Sequence, residues 1–213
     1  MKTIIMCGGN YKYWETPKQL QVINGETLVA RTIRLLKENG VTDIAISSND
    51  SRFDNFGVPR LEHNNTFETD GKNIKGYWVD AFYPTNEPVT YLFGDVYYTD
   101  YAIAKILDNT TNGVLFFGSK NINRGNYHKE WEEPFAFKVA NQEMFRKAID
   151  TCKFMKDKKQ TKREPIAWEL YRVLNGIDIN THLIKDNYVA IDDETTDFDT
   201  PKELEEMRCY YEK

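Results

Sequence analysis

Apolar residues in this chain fall into short runs that alternate with longer stretches of helical spacing. Lys2 to Cys7 is a mostly apolar run ended by Gly8-Gly9, the pattern of a buried first strand. In Thr27 to Asn39, Leu28, Val29, Ile33 and Leu36 fall on one face, and Gly40 stands where a helix C-cap belongs. Val41 to Ser47 predicts a second strand, Val89 to Phe93 a third and Gly113 to Phe117 a fourth, with a helix over Tyr101 to Asp108. Beyond a polar stretch with scattered aromatics, Lys120 to Glu133, strand character returns at Phe135 to Val139. Asn141 to Phe154 and Pro165 to Asn175 predict helices, joined by a basic link from Lys156 to Arg163 that reads as an exposed connection or as a recruiter of phosphate. Tyr188 to Ile191 predicts a last strand, and a final helix begins at Pro201. Strands alternating with helices predict an α/β fold with a mostly parallel sheet.

Composition narrows the classes of partner. The 213 residues suit one domain, and 40% hydrophobic with 14% aromatic residues suffice to fill a core. With 28 basic against 33 acidic side chains the net charge is -5, which argues against a surface built for nucleic acid. The first apolar run is too short for a signal-peptide core and no other stretch is long enough for a bilayer, so no membrane partner is expected. Cys7, Cys152 and Cys209 form no C-x-x-C pair, which points to thiols in a reducing cytoplasm. His63, His128 and His182 are too scattered to suggest a triad or a zinc site, and no nearby histidine would activate Cys7 as a nucleophile.

A glycine pair after a first strand admits either a tight turn or close approach of a ligand to the backbone. A dinucleotide fold would need G-x-G-x-x-G, but Gly9 is followed by Asn10-Tyr11-Lys12-Tyr13-Trp14; a P-loop would need Gly-Lys-Ser/Thr, which is missing. Further on come Thr16-Pro17-Lys18-Gln19-Leu20, Gly94-Asp95 directly after the third strand, and Asp197-Phe198-Asp199-Thr200-Pro201 before the last helix. Asp95 reads as a turn former or a metal ligand at a strand's C-terminal end, and Asp199 as a helix cap or a second ligand.

Taken together, Met6-Cys7-Gly8-Gly9, Pro17-Lys18, Gly94-Asp95 and Asp199-Thr200-Pro201 resemble the nucleotidyltransferase family, which activates sugar phosphates, cholines and similar compounds. The resemblance implies a three-layer α/β sandwich of the glycosyltransferase-A-like type as one domain over 1–213. Residues 1–110 would bind the nucleotide, 111–187 the acceptor, and 188–213 would close the metal site. It further implies Mg²⁺ held by Asp95 and Asp199, a nucleotide loop of Met6, Cys7, Gly8, Gly9 and Asn10, and catalysis by Lys18 with Lys12. The family usually carries an arginine in this loop, and Lys12 is the basic residue that stands nearby. Overall similarity to cytidylyltransferases of surface-polysaccharide and phosphocholine pathways implies CTP as donor. The acceptor would be a small phosphorylated metabolite: a sugar phosphate, phosphocholine, or an amino-acid phosphate such as phosphoglutamine, in capsule precursor synthesis.

Thr69, Asp70 and Gly71 lie where the family contacts the base, or they cap a helix beginning near Asn73. On the acceptor side, Lys120 and Arg124 suit a phosphate, and Trp131 suits a sugar face or a cationic group, with Glu133 beside them; packing beneath a hairpin is the other reading of Trp131. Two rival functions remain: a glycosyltransferase of the same fold, for which Gly94-Asp95-Val96-Tyr97 lacks the second acid of D-x-D, and a non-catalytic nucleotide-binding regulator. Oligomeric state stays open, a homodimer among the options.

Overall fold

The computed structural model describes residues 1–8, 14–64, 67–69, 73–120, 123–124, 127–128 and 132–212, with backbone alone at 69, 123–124 and 127–128. Its centre is a seven-stranded sheet formed by β1 (Lys2–Met6), β2 (Ile44–Ser47), β3 (Arg60–Leu61), β4 (Val89–Phe93), β5 (Val114–Ser119), β6 (Pro134–Val139) and β7 (Tyr188–Ile191). The order across the sheet is β7-β5-β6-β4-β1-β2-β3, and every pairing is parallel except those of β6 with β4 and β5. This is the mixed α/β fold that the alternating pattern predicts.

The helices are α1 (Leu28–Glu38), α2 (Asp100–Asp108), α3 (Gln142–Asp157), α4 (Ala167–Leu174) and α5 (Pro201–Tyr211). Their ends follow local chemistry. The Thr27 hydroxyl accepts from the Ala30 N–H at the start of α1, and Thr99, Asn141 and Thr200 cap α2, α3 and α5 in the same way. Pro201 occupies the first turn of α5, where a missing N–H costs nothing.

One face of the sheet carries an aromatic row in register across four strands, Tyr188, Phe116, Phe137 and Tyr91. The rings of Phe116 and Phe137 stack at 4.5 Å between centroids. Phe145 of α3 stacks on Tyr91 and Tyr171 of α4 on Phe116, so α3 and α4 are held by burial of large rings on this row. A second, smaller cluster joins Ile23, Leu28, Tyr97, Phe198, Leu204 and Met207, and it fastens α5 to the start of α1.

Four features depart from the sequence-based expectation. Val22–Ile23 pairs with Glu26–Thr27 as a hairpin whose turn, Asn24-Gly25, takes positive φ at both positions. Lys18–Leu20 is a short 3-10 turn. The helix expected near Asn73 is not formed: Ile74–Lys75 pairs with Glu68–Thr69 as a second hairpin. The two-residue strand Arg60–Leu61 extends the sheet beyond β2; it is too short to show a period of its own.

Two glycines test different constraints. A Cβ on Gly94 would lie 2.6 Å from the Met6 carbonyl oxygen and 2.8 Å from the Cys7 sulfur, whereas one on Gly40 meets nothing within 4 Å and is strained only by φ +77°. Gly94→Ala is therefore expected to lower stability by about 1–3 kcal/mol through overpacking against backbone. Gly40→Ala is expected to cost about 1 kcal/mol through its left-handed conformation. Urea unfolding of the two variants checks both magnitudes.

Candidate functional site

Strand order reverses direction between β1 and β4: from β1 the chain moves outward to β2 and β3, then returns to the other side of β1. Such a switch opens a crevice beyond the C-terminal ends of the two strands, where α/β proteins bind ligands. Parallel register aligns Met6 with both Phe93 and Ser47, so Cys7-Gly8 and Gly94-Asp95 leave the sheet side by side. The Gly94 N–H donates to the Met6 carbonyl at 3.0 Å, the approach for which Gly94 must lack a side chain.

Lys18, on its 3-10 turn, reaches into this crevice. Its Nζ lies 2.8 Å from Asp95 Oδ2 and 3.1 Å from Asp199 Oδ1, and it donates to the Phe198 carbonyl at 3.0 Å. Burial pulls the Lys18 ammonium toward neutrality, but the negative charges of Asp95, Asp199 and Asp197 outweigh it and hold the group charged well above the usual lysine range. Lys18 is thus a fixed cation at every physiological pH. A raised folded-state value means that its ion-pair stabilisation is fully present below the unfolded lysine range and is lost only at extreme alkalinity.

Asp199 belongs to a segment 181 residues away from Lys18 in the chain, and two devices bring it back. Tyr97, two residues past Asp95, forms an antiparallel bridge with Thr196, its N–H donating to the Thr196 carbonyl at 2.7 Å. Phe198 is fully buried in the smaller cluster, edge-on to Trp14 at 5.5 Å. Its burial turns the flanking backbone so that its carbonyl faces Lys18. The α5 cap is Thr200 and not Asp199, so the Asp199 carboxylate is not committed to ending the helix.

Cys7 is buried, and burial together with the Asp95 charge pushes its thiol well above the ordinary range. It is a packing residue with no thiolate to offer. Ser48 donates its hydroxyl to the Cys7 carbonyl at 3.0 Å, which fixes the backbone before Gly8.

Of the residues singled out in the sequence, Met6, Cys7, Gly8, Lys18, Asp95 and Asp199 meet at this one crevice. Gly9, Asn10, Lys12, Asp70, Gly71 and Trp131 lie outside the described residues, as do the side chains of Thr69 and Arg124. On the acceptor side, Lys120 pairs with Asp192 just past β7 at 3.1 Å. Glu133 is buried where β6 begins, its N–H donating to the Ser119 hydroxyl and its carbonyl accepting from the Ser119 N–H. Lys156 of the basic link also departs from free exposure, pairing with Glu164 and donating to the Gly76 carbonyl at 2.6 Å.

Two residues were passed over in the sequence. Asp197 adds to the field on Lys18, and its signal was the acid-x-acid spacing with Asp199. Gln19 is 4% exposed, its side chain packs over Gly94, and its Oε1 is buried without a hydrogen-bond partner among the described residues. Nothing in the sequence distinguishes it from an ordinary polar neighbour of Lys18.

Solved structures that match nearly the whole chain include three with an assigned reaction. One, from Bacillus anthracis, is assigned as a glucose-1-phosphate thymidylyltransferase: TM-score 0.58, 15% identity, covering 98% of this chain and 94% of that one. The CTP:phosphocholine cytidylyltransferase of Streptococcus pneumoniae gives 0.55 at 14% identity, with 97% of each chain covered. The inositol-1-phosphate CTP transferase of T. maritima gives 0.56 at 15% identity, covering 100% and 96%.

The fold is that of the nucleotidyltransferases. No family model matches the chain, and no curated protein matches it in sequence. In this chain Lys18, Asp95 and Asp199 converge at the crevice between β1 and β4.

The three cysteines give a direct check on the crevice. Cys7 and Cys152 are buried, and burial pushes Cys152 up to about 12; Cys209 is exposed. At pH 8 a thiol reagent is expected to modify one cysteine rapidly in the native protein, Cys209 by peptide mapping, and all three after denaturation.

Proposed function

We propose that the protein is a Mg²⁺-dependent nucleotidyltransferase that transfers the nucleoside monophosphate of an NTP, with CTP preferred, to a small phosphorylated acceptor. What carries this reading is the sharing of one ammonium by two carboxylates, Lys18 with Asp95 and Asp199, at the switch point of the sheet. The fold shared with nucleotidyltransferases supports it, and the names of two of those enzymes, both CTP-using, support the choice of donor.

The donor set suits a hard divalent cation. Asp95, Asp199 and Asp197 place three negative charges around one lysine, an excess of carboxylate oxygen of the kind Mg²⁺ takes. Among the described residues no group of three His, Cys, Asp or Glu side chains is arranged to hold a metal. Asp95 and Asp199 would therefore supply the protein's two ligands, with phosphate oxygens and water completing the shell. When bound, Mg²⁺ offsets the charge of the triphosphate and keeps its phosphates in line for displacement.

In the proposed reaction an acceptor phosphate oxygen attacks the α-phosphorus, the bond from that phosphorus to the bridging oxygen breaks, and pyrophosphate leaves. Lys18 cannot serve as a base, because its ammonium stays protonated across neutral pH; its role is to stabilise charge on the departing pyrophosphate. No general base is needed, since a phosphate acceptor is already ionised. The backbone of Cys7 and Gly8, brought against Gly94, offers the close approach that a nucleotide requires.

Pyrophosphate release should appear with Mg²⁺, one NTP and a phosphorylated acceptor, greatest with CTP in a panel of four NTPs. Turnover of a nucleotide sugar, with silence towards every NTP, would replace this reading by that of a glycosyltransferase. Asp95→Asn and Lys18→Met are each expected to reduce turnover by about 100- to 1000-fold. Asp199→Asn should do the same with its helix content unchanged by circular dichroism, because Thr200 caps α5. A fully active Asp199→Asn enzyme would remove that residue from the metal site.

A further inference from the structure

Away from Lys18, a cavity of about 460 Å³ opens between α4 and the segment that follows it. It sits at the same edge of the sheet as the crevice, beside β6, because the Trp168 indole N–H donates to the Glu132 carbonyl at 3.2 Å. Its volume falls in the range of small-metabolite sites.

The wall is built around two guanidinium groups. Glu169, 3% exposed, holds both: its Oε1 accepts from Arg163 Nε at 2.9 Å and from Arg172 at 2.9 Å. Arg172 also donates to the Ile179 carbonyl at 2.9 Å and meets His182 Nδ1 at 3.2 Å, while His182 Nε2 meets Glu132 at 3.2 Å. Arg172 is 6% exposed, and its Nε is buried with no hydrogen-bond partner among the described residues. Lys162 lines the cavity too, and among the described residues Lys162, Arg163 and Arg172 stand against Glu132, Glu169 and Asp178, whose charge also reaches Arg172.

We propose that this cavity is an oxyanion-binding site for the phosphate or carboxylate of a small metabolite, with Arg163 and Arg172 as its binding residues. Guanidinium forks match the planar or tetrahedral oxygens of such groups. Glu169 sets the direction of both forks. The site uses none of Lys18, Asp95 and Asp199, so it stands whether or not the nucleotidyltransferase reading holds.

Calorimetric titration of the full chain with inorganic phosphate tests the proposal. Wild type should bind phosphate, and Arg163→Gln, at a half-exposed position that tolerates replacement, should bind it at least about tenfold more weakly. Lys158→Gln removes an exposed charge outside the cavity and should bind as wild type does. Lys18→Ala should also keep the site, which separates it from any phosphate held in the crevice. Arg172→Lys should lose binding with its melting temperature retained; if that variant does not fold, Arg163→Gln decides alone. Displacement of phosphate by a phosphorylated acceptor would identify the anion as the acceptor's own, and simultaneous binding would identify a separate metabolite; both outcomes keep the site. No binding by wild type, equal binding by Arg163→Gln, or loss of binding in Lys18→Ala would overturn it.

Discussion

The ammonium of Lys18, held between Asp95 and Asp199, is the interaction on which the rest of the crevice depends. A mostly buried lysine is tolerable only when opposite charge compensates its lost hydration, and two carboxylates this close to each other are tolerable only with a cation between them. The carboxylates therefore hold the Lys18 ammonium in its charged state. The three residues come from a turn after β1, the end of β4 and the loop before α5, so the ion pairs also tie three distant segments into one site. The main core contributes none of these charges. It supplies the apolar platform whose aligned strand ends set the distances.

That platform works because its strand ends leave no room for side chains where the segments meet. Met6 and Gly94 are joined backbone to backbone, and Cys7 fills the remaining space with a thiol that burial keeps protonated. Among the described residues the crevice presents neither a thiolate nor a histidine, and the groups it does present are fixed charges. Phosphoryl and nucleotidyl transfer are reactions in which charge stabilisation and alignment do most of what a protein can do.

Much of this was legible in the sequence. Val89–Phe93 and Tyr188–Ile191 form strands at the boundaries their apolar runs predict, and α1 ends at a glycine with positive φ. The Gly94-Asp95 and Asp199-Thr200-Pro201 motifs were readable because each couples a backbone requirement to a side chain, a missing Cβ in one and a helix start in the other. The hairpin at Asn24-Gly25 carried a strong turn signal but is only two residues deep on each side, so it leaves no alternation to detect. The segment around Asn73 misled because residues that favour a helix cap do not require a helix to follow, and Ile74–Lys75 pairs with Glu68–Thr69 as a strand instead. Gln19 and the pairing of Arg163 with Glu169 and Arg172 were invisible for another reason. Their burial is set by contacts between elements far apart in the chain, which no local spacing records.

The closing segment shows how far the site extends beyond its charged atoms. The Arg208 guanidinium donates to the Val22 carbonyl at 3.1 Å, and Glu212 accepts from the Asn24 N–H at 2.9 Å. Tyr211 lies on Tyr97 at 4.5 Å, and Asn24 donates to the Tyr97 hydroxyl at 3.2 Å. Helix α5 is thereby bound at once to the first hairpin and to the residue that bridges Thr196. Asp199 is 68% exposed at its side chain, and this lock together with the burial of Phe198 places it relative to Lys18. The small cluster around Phe198 consequently does for the carboxylates what the main core does for the strands: it converts apolar burial into the placement of charge.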